Sequence, residues 1–207
     1  MFYSKLKRQK SYEKKKDGSY YAYNHYKDVI IQDCLESCVY CDVQYREHAF
    51  EGMQLDHFRP QDYFKEHINN PENLVLSCPK CNRLKSNHWP GDKKDFNKPS
   101  HDGVIGFIDP FVEDIREYYS VDNKGFLQAL KAPAPYVIEI LDLNRPSRIK
   151  VRQLRIIRSL LSEALKDIDN RVGLAYEDFC NGLIDREKLK EKLHSYSLLR
   201  DDLYALI

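Results

Sequence analysis

Four cysteines fall in two pairs with the same internal gap, Cys38-x-x-Cys41 and Cys78-x-x-Cys81, and the stretch between the pairs carries an acid beside an imidazole, Asp56-His57. Thiolates at that spacing can close a tetrahedron around Zn²⁺ at about 2.3 Å. A site filled by four sulfurs is closed, so it folds a chain and performs no chemistry. In a plain zinc ribbon the pairs stand about 15–20 residues apart. Here the gap is nearly twice as long, and the surplus encloses Leu55-Asp56-His57-Phe58-Arg59-Pro60. A metal would therefore pin both ends of a segment bearing a carboxylate and a group able to take a proton from water near neutral pH. Cys34 and Cys180 are left over and read as ordinary buried cysteines. His48, His67, His88 and His101 have no such context and read as surface residues, with His48 or His88 a reserve zinc ligand.

Several elements must position these groups. Tyr23 to Cys34 has helical spacing, with Tyr26, Val29, Ile30 and Cys34 on one face. Met53 to Phe58 reads as a short strand, Gln61 to His67 as a short helix, Asn73 to Ser77 as a second strand, and a further helix should start near Cys81 and stop before Pro90. Neighbours along a strand point to opposite faces, so for Asp56 and His57 to share a site the first strand is expected to end between them, with Pro60 in the turn. Gly91 to Asp102 is polar and reads as a loop or hinge. Ile115 to Ala129 has hairpin character around Asp122-Asn123-Lys124-Gly125. Beyond Pro135 the chain reads as helical, over Tyr136 to Leu141, Pro146 to Ile168, Val172 to Cys180 and Arg186 to Leu206. On the second of these, Leu154, Ile157, Leu161, Ala164, Leu165 and Ile168 form an apolar stripe opposite Arg148, Arg152, Arg155 and Arg158, which suits docking on a core with a basic face toward nucleic acid, an acidic partner or solvent.

A chain of 207 residues with hydrophobic types at 42% can bury one substantial core or two small ones, and one compact unit is the expectation. No apolar run reaches the length of a membrane span, and the N-terminus is charged and tyrosine-rich where a signal peptide would be apolar. The reading is a soluble, cytoplasmic chain with no membrane partner. Six cysteines are too few for a disulfide scaffold of this size. The net charge of +1 hides an asymmetry: between Met1 and Lys27 eight Lys or Arg face only Glu13 and Asp17, so the remainder is net negative. That arm is the natural contact for a polyanion, or else a solvated tail. Tyr3, Tyr12 and Tyr20 to Tyr23 interleave with its cations and could stack on bases.

Taken together, Cys38-x-x-Cys41, Leu55-Asp56-His57-Phe58-x-Pro60, Asn73-Leu74 and Cys78-x-x-Cys81-Asn82-x-x-Lys85 resemble the motif of HNH endonucleases in their four-cysteine form. The resemblance covers about a quarter of the chain and implies two antiparallel strands and a helix around a catalytic metal. By motif position Asp56 would bind that metal, His57 would be the general base, Asn73 would steady the loop and orient the histidine, and Asn82 would be the second metal ligand, where many members carry His. Asp56 and Asn82 offer hard oxygens that suit Mg²⁺ or Mn²⁺, while Arg59, Arg83 and Lys85 are candidate nucleic-acid contacts. The fold class expected is α+β, a zinc-stapled ββα-metal core within a mainly helical chain. Its parts are an arm and helix over 1–33, the HNH core with structural Zn²⁺ over 34–92, and a hairpin with a helical region over 93–207.

A looser resemblance rests on Gly106-Phe107-Ile108-Asp109-Pro110-Phe111 and on Ile140-Leu141-Asp142-Leu143-Asn144-Arg145-Pro146 before an Arg-rich helix. These strings are similar to the C-terminal region of small HNH nucleases of prokaryotic antiviral systems, notably Septu-type systems and related retrons. That implies an ABC/SMC-type ATPase partner and activation on infection; the activity expected is hydrolysis of phosphodiester bonds in DNA first, with RNA as a second substrate class. The competing reading is a non-catalytic zinc-dependent module that binds nucleic acid or protein.

Overall fold

The computed structural model describes residues 3–47 and 52–205. The chain forms two compact units, Met1–Gln153 and Leu154–Ile207. In chain order the elements are α1 (Lys27–Asp33), β1 (Gln54–His57), β2 (Leu74–Ser77), α2 (Pro79–Lys85), β3 (Tyr119–Val121), β4 (Leu127–Ala129), α3 (Ala134–Ile140), α4 (Pro146–Cys180) and α5 (Arg186–Tyr204), with short 3-10 turns between them. The chain is thus a mixture of helices and two small sheets, the α+β class.

The first unit is built on the antiparallel pair β1–β2, in register Gln54 to Ser77 and His57 to Leu74. All four residues of β2 are buried, because the strand pairs with β1 while α1 packs against it. A fully apolar Leu-Val-Leu run suits such a site. Pro79 in the first turn opens α2, where its missing N–H costs nothing. Around this framework Tyr40, Phe58, Phe64, Trp89 and Phe107 form one aromatic core. Asn73 locks the end of β1: its side chain accepts from the Arg59 N–H at 2.9 Å and donates to the Arg59 carbonyl at 2.9 Å.

The N-terminal arm is built into this unit and is not a solvated tail. Arg8 donates to the carbonyls of Pro71, Glu72 and Leu74 at 2.7–3.1 Å and lies 3.5 Å over the Phe111 ring. Tyr12 and Tyr20 meet Tyr26 edge to face, and Tyr3 donates to the Val39 carbonyl. Tyr3, Tyr12 and Tyr20, which the sequence offered as rings able to stack on bases, are engaged in contacts within the unit. Lys5, Lys7, Lys10, Lys14, Lys15 and Lys16 remain exposed.

Several boundaries differ from the sequence reading. β1 continues through His57, which pairs with Leu74, so the strand does not end after Asp56. Gln61 to His67 forms turns with a single 3-10 turn over Lys65–His67; backbone bonds from Tyr63 and Phe64 to the Pro60 carbonyl close a turn instead of a helix. Pro146 to Cys180 is one helix of 35 residues and not two. It ends where Gly182, at φ +71°, closes the turn through Leu183 N–H to Asp178 C=O. The division between units falls inside α4, and the polar stretch 91–102 lies within the first unit. In the second unit Ile168, Ala175 and Leu189 are buried, while Leu154 and Ile157, members of the expected apolar stripe, are exposed.

Candidate active site and metal centre

The loop before Cys38 places the first cysteine pair against the sheet. Val39 donates to the Leu76 carbonyl at 3.0 Å, Asp42 donates to the Cys38 carbonyl at 2.9 Å, and Cys38 to that of Val43 at 2.9 Å, closing a tight knuckle. The turn needs a left-handed residue, supplied by Asp42 at φ +59°, a residue type that tolerates this conformation better than most. The second pair opens α2, whose N-cap is Cys78. All four cysteines are buried, and their sulfurs lie within 4.8 Å of one another. A tetrahedron with metal–sulfur bonds of about 2.3 Å has edges of about 3.8 Å. Cys41 and Cys78 sulfurs stand 3.8 Å apart, so the four thiols fit Zn²⁺ as they lie.

Two arginines complete this centre. Arg145 Nη2 donates toward the sulfurs of Cys41, Cys78 and Cys81 at 3.7, 3.6 and 3.5 Å. Arg148 donates to Cys41 through Nε at 3.3 Å and to Cys78 through Nη2 at 3.4 Å. Burial opposes the charge on both guanidiniums, but the neighbouring thiols outweigh it and raise their pKa. Arg152 is committed to the carbonyls of Gly125 and Leu143 at 2.7 and 2.8 Å. The basic face expected for this helix is therefore partly an interior face: Arg148 and Arg152 are buried. An arginine stripe opposite leucines reads as solvated only when its far partners, here cysteines and carbonyls from distant segments, are unseen.

Beside the metal centre lies an open cleft of about 300 Å³, lined by Tyr23, Leu55, Asp56, His57, Pro60, Gln61, Asp62, Asn82, Ser86 and Asn87. His57, Asp56 and Asn82 thus meet in one cavity. His57 Nε2 lies 2.9 Å from the Ile68 carbonyl. A carbonyl only accepts, so this nitrogen carries the proton and Nδ1 keeps the lone pair. Asn82 donates through Nδ2 to Gln54 Oε1 at 2.9 Å, which makes its amide oxygen the group left to offer a cation. The buried Asp56 carboxylate accepts from Tyr40 at 2.6 Å. It also pairs with Lys85, whose ammonium lies 3.3 Å from Oδ1 and 3.2 Å from Oδ2. Burial and then the Asp56 charge push the Tyr40 phenol well up, so it stays a donor. A carboxylate has about four lone-pair sites, and these contacts leave room for a metal. A carboxylate and an amide oxygen lining one cleft with an imidazole fit Mg²⁺ or Mn²⁺ in donor chemistry.

Not all of the expected site residues gather here. Lys85 is fully enclosed and donates to the His57 carbonyl at 2.8 Å, so it holds the site from behind and cannot meet a flanking phosphate. Arg59 turns away: it donates to the Lys98 carbonyl at 2.9 Å, approaches Asp109 at 3.7 Å and lies over the Trp89 and Phe96 rings. Arg83 is exposed. His88 contacts Tyr136 and is no part of the thiol cluster, while His48 lies outside the described residues. His101 is half-buried against Glu113. Cys34 is buried, accepting from the Leu76 N–H at 3.3 Å, but Cys180 is exposed. Tyr23, named from the sequence among the aromatic rings of the arm, lines the cleft with its ring centre 5.2 Å from that of His57; Tyr40 was missed. Tyr40 sits inside the first cysteine pair, where a large polar ring was the available signal.

Three findings connect this geometry with known proteins. Residues 38–88 match the family model described as HNH endonuclease. A Septu protein PtuB from Bacillus thuringiensis is 32% identical over 59 residues, covering 28% of this chain and 23% of the relative. A Septu protein PtuA from Bacillus mycoides (strain KBAB4) is 23% identical over 133 residues, covering 56% of this chain and 18% of the relative. The chain thus spans less than a quarter of the length of either curated relative. The matched segment is the one whose two strands and helix carry the thiol cluster and the cleft residues Asp56, His57 and Asn82, and over residues 38–88 the chain is similar to the HNH endonucleases.

Proposed function

We propose that the chain is a metal-dependent HNH endonuclease that hydrolyses phosphodiester bonds in nucleic acid, DNA first, as the effector nuclease of a prokaryotic antiviral system working with an ATPase partner. The observation that carries the chemistry is the meeting of His57, Asp56 and Asn82 in one cleft, with the imidazole tied to the Ile68 carbonyl through Nε2. In this reading Nδ1 of His57 takes the proton from the attacking water. Asp56 and Asn82 hold Mg²⁺ or Mn²⁺, which when bound stabilises charge on the phosphorane and on the leaving oxygen. Lys85 and Tyr40 keep the carboxylate aimed from behind, and Asn73 fixes the turn that follows His57. Cys38, Cys41, Cys78 and Cys81 hold structural Zn²⁺. Arg83 and the exposed lysines of the arm are among the cations available to meet phosphates. The antiviral setting follows the names of the two relatives, both Septu proteins.

The test is cleavage of plasmid DNA and of RNA side by side in Mg²⁺ and in Mn²⁺, with and without a candidate ATPase. His57→Ala is expected to lower the rate by about 10²–10⁴-fold. Undiminished cleavage by His57→Ala would remove the assigned base. Tight binding without products under every ion and partner would instead favour the non-catalytic module.

A further inference from the structure

We infer that Arg145 and Arg148 are the counter-charge of the four-thiolate metal centre, so that metal occupancy and the anchoring of the segment 141–153 are one linked event. The inference rests on the reading of the four cysteines as a zinc site, and extends it to residues more than 60 positions away in sequence from the nearest thiol they touch. A divalent ion with four thiolates carries a net charge of about −2. Such a charge in a buried site is costly unless it is paired and hydrogen-bonded. Arg145 and Arg148 are both only 7% exposed and between them aim five N–H···S contacts at Cys41, Cys78 and Cys81. Two guanidiniums balance the dianion, and neither can relieve its own burial by losing a proton.

The dependence runs both ways. Without the ion the four sulfurs lose the bonds that fix their positions, and with them the five N–H···S contacts that seat Arg145 and Arg148. Arg145 also donates to the carbonyls of Leu141 and Asp142, at the end of α3, at 3.2 and 2.9 Å. Arg152, one turn further on, ties the same stretch to the β3–β4 turn at Gly125. Release of the metal is therefore transmitted to the start of α4 and to the hairpin.

Metal content, metal retention against a competing chelator, the sulfur-to-cobalt charge-transfer band of the cobalt-loaded protein, and amide exchange over 141–153 test this, using the full chain. Arg148→Gln is expected to weaken zinc binding by about 10–100-fold and to move the charge-transfer band to longer wavelength, because a sulfur that loses its donor gives up electron density more easily. Lys150→Gln, at an exposed position in the same turn, should change neither. Arg148→Lys keeps the charge but not the forked donor, and should fall between; it stands in should the Gln variant fail to fold. Purified wild-type protein without bound metal would overturn the zinc reading itself. A zinc-loaded protein in which the Arg148 variants retain wild-type affinity and an unmoved band would overturn the counter-charge role alone. Exchange protection over 141–153 that survives chelation would overturn the linkage.

Discussion

Lys85 is the residue whose environment most changes its meaning. A cation at the exposed end of a short helix would be a phosphate contact, yet this one is fully buried and held by Asp56 and by the His57 carbonyl. Removing one member of a buried ion pair costs about 3–5 kcal/mol, because the other charge is left without a partner. Lys85→Met is therefore expected to lower stability by that amount in chemical denaturation, and Lys85→Met with Asp56→Asn to recover part of it. A loss below about 1 kcal/mol, the range of exposed pairs, would show that the pair is not the buried clamp described here. Tyr40→Phe removes a hydrogen bond to the same carboxylate and should cost about 1.5–3 kcal/mol. In the proposed chemistry both changes also loosen the aim of Asp56, so cleavage should fall more steeply in them than binding does.

Among the elements, the contact of the β3–β4 turn with α4 shows how the helix is seated. Gly125 sits at φ +81°, and a Cβ there would stand 2.7 Å from the Ile149 carbonyl and 2.8 Å from Gln153 Cγ. Gly18 has almost the same φ, +82°, with nothing within 4 Å of its Cβ position. Left-handed strain costs an L-residue about 1–2 kcal/mol, and an overpacked contact adds about 1–3 kcal/mol. Gly18→Ala should show the first cost and Gly125→Ala both, read as a difference in thermal midpoint. Equal midpoints for the two variants would mean that the turn and α4 do not press together. The long helix itself was foreseen as two, Pro146 to Ile168 and Val172 to Cys180; in the structure it is unbroken over Pro146–Cys180.

At the scale of the molecule, metal and fold are one problem in the first unit. The thiol cluster joins the knuckle at Cys38 to the start of α2, and through Arg145 and Arg148 to the start of α4. Binding energy at a structural zinc site is folding energy, so chelation should abolish the cooperative unfolding of residues 3–153. Thiol titration offers a direct reading. Cys180 is exposed and the other five cysteines are buried; one thiol is expected to react in the metal-loaded protein and at least four more after chelation. Rapid reaction of all six before chelation would contradict a closed centre. Among the described residues no helix is long and apolar enough to cross a membrane.

The sequence by itself determined the two cysteine pairs, the Asp56-His57 neighbours, the strand, strand, helix order and the β3–β4 hairpin. All of these are written in local spacing: ligand gaps, alternation and turn residues act within a few positions of one another. What only the tertiary structure decided is where the charges go. Lys85 finds Asp56 29 residues away, and Arg148 finds Cys41 across 107 residues, so no local pattern could separate these buried cations from solvated ones. The same holds for His57 and Asp56, which share a cleft although the strand continues through both. A charge is read from its sequence neighbours as exposed by default, and it takes the folded chain to bring the distant group that makes its burial affordable.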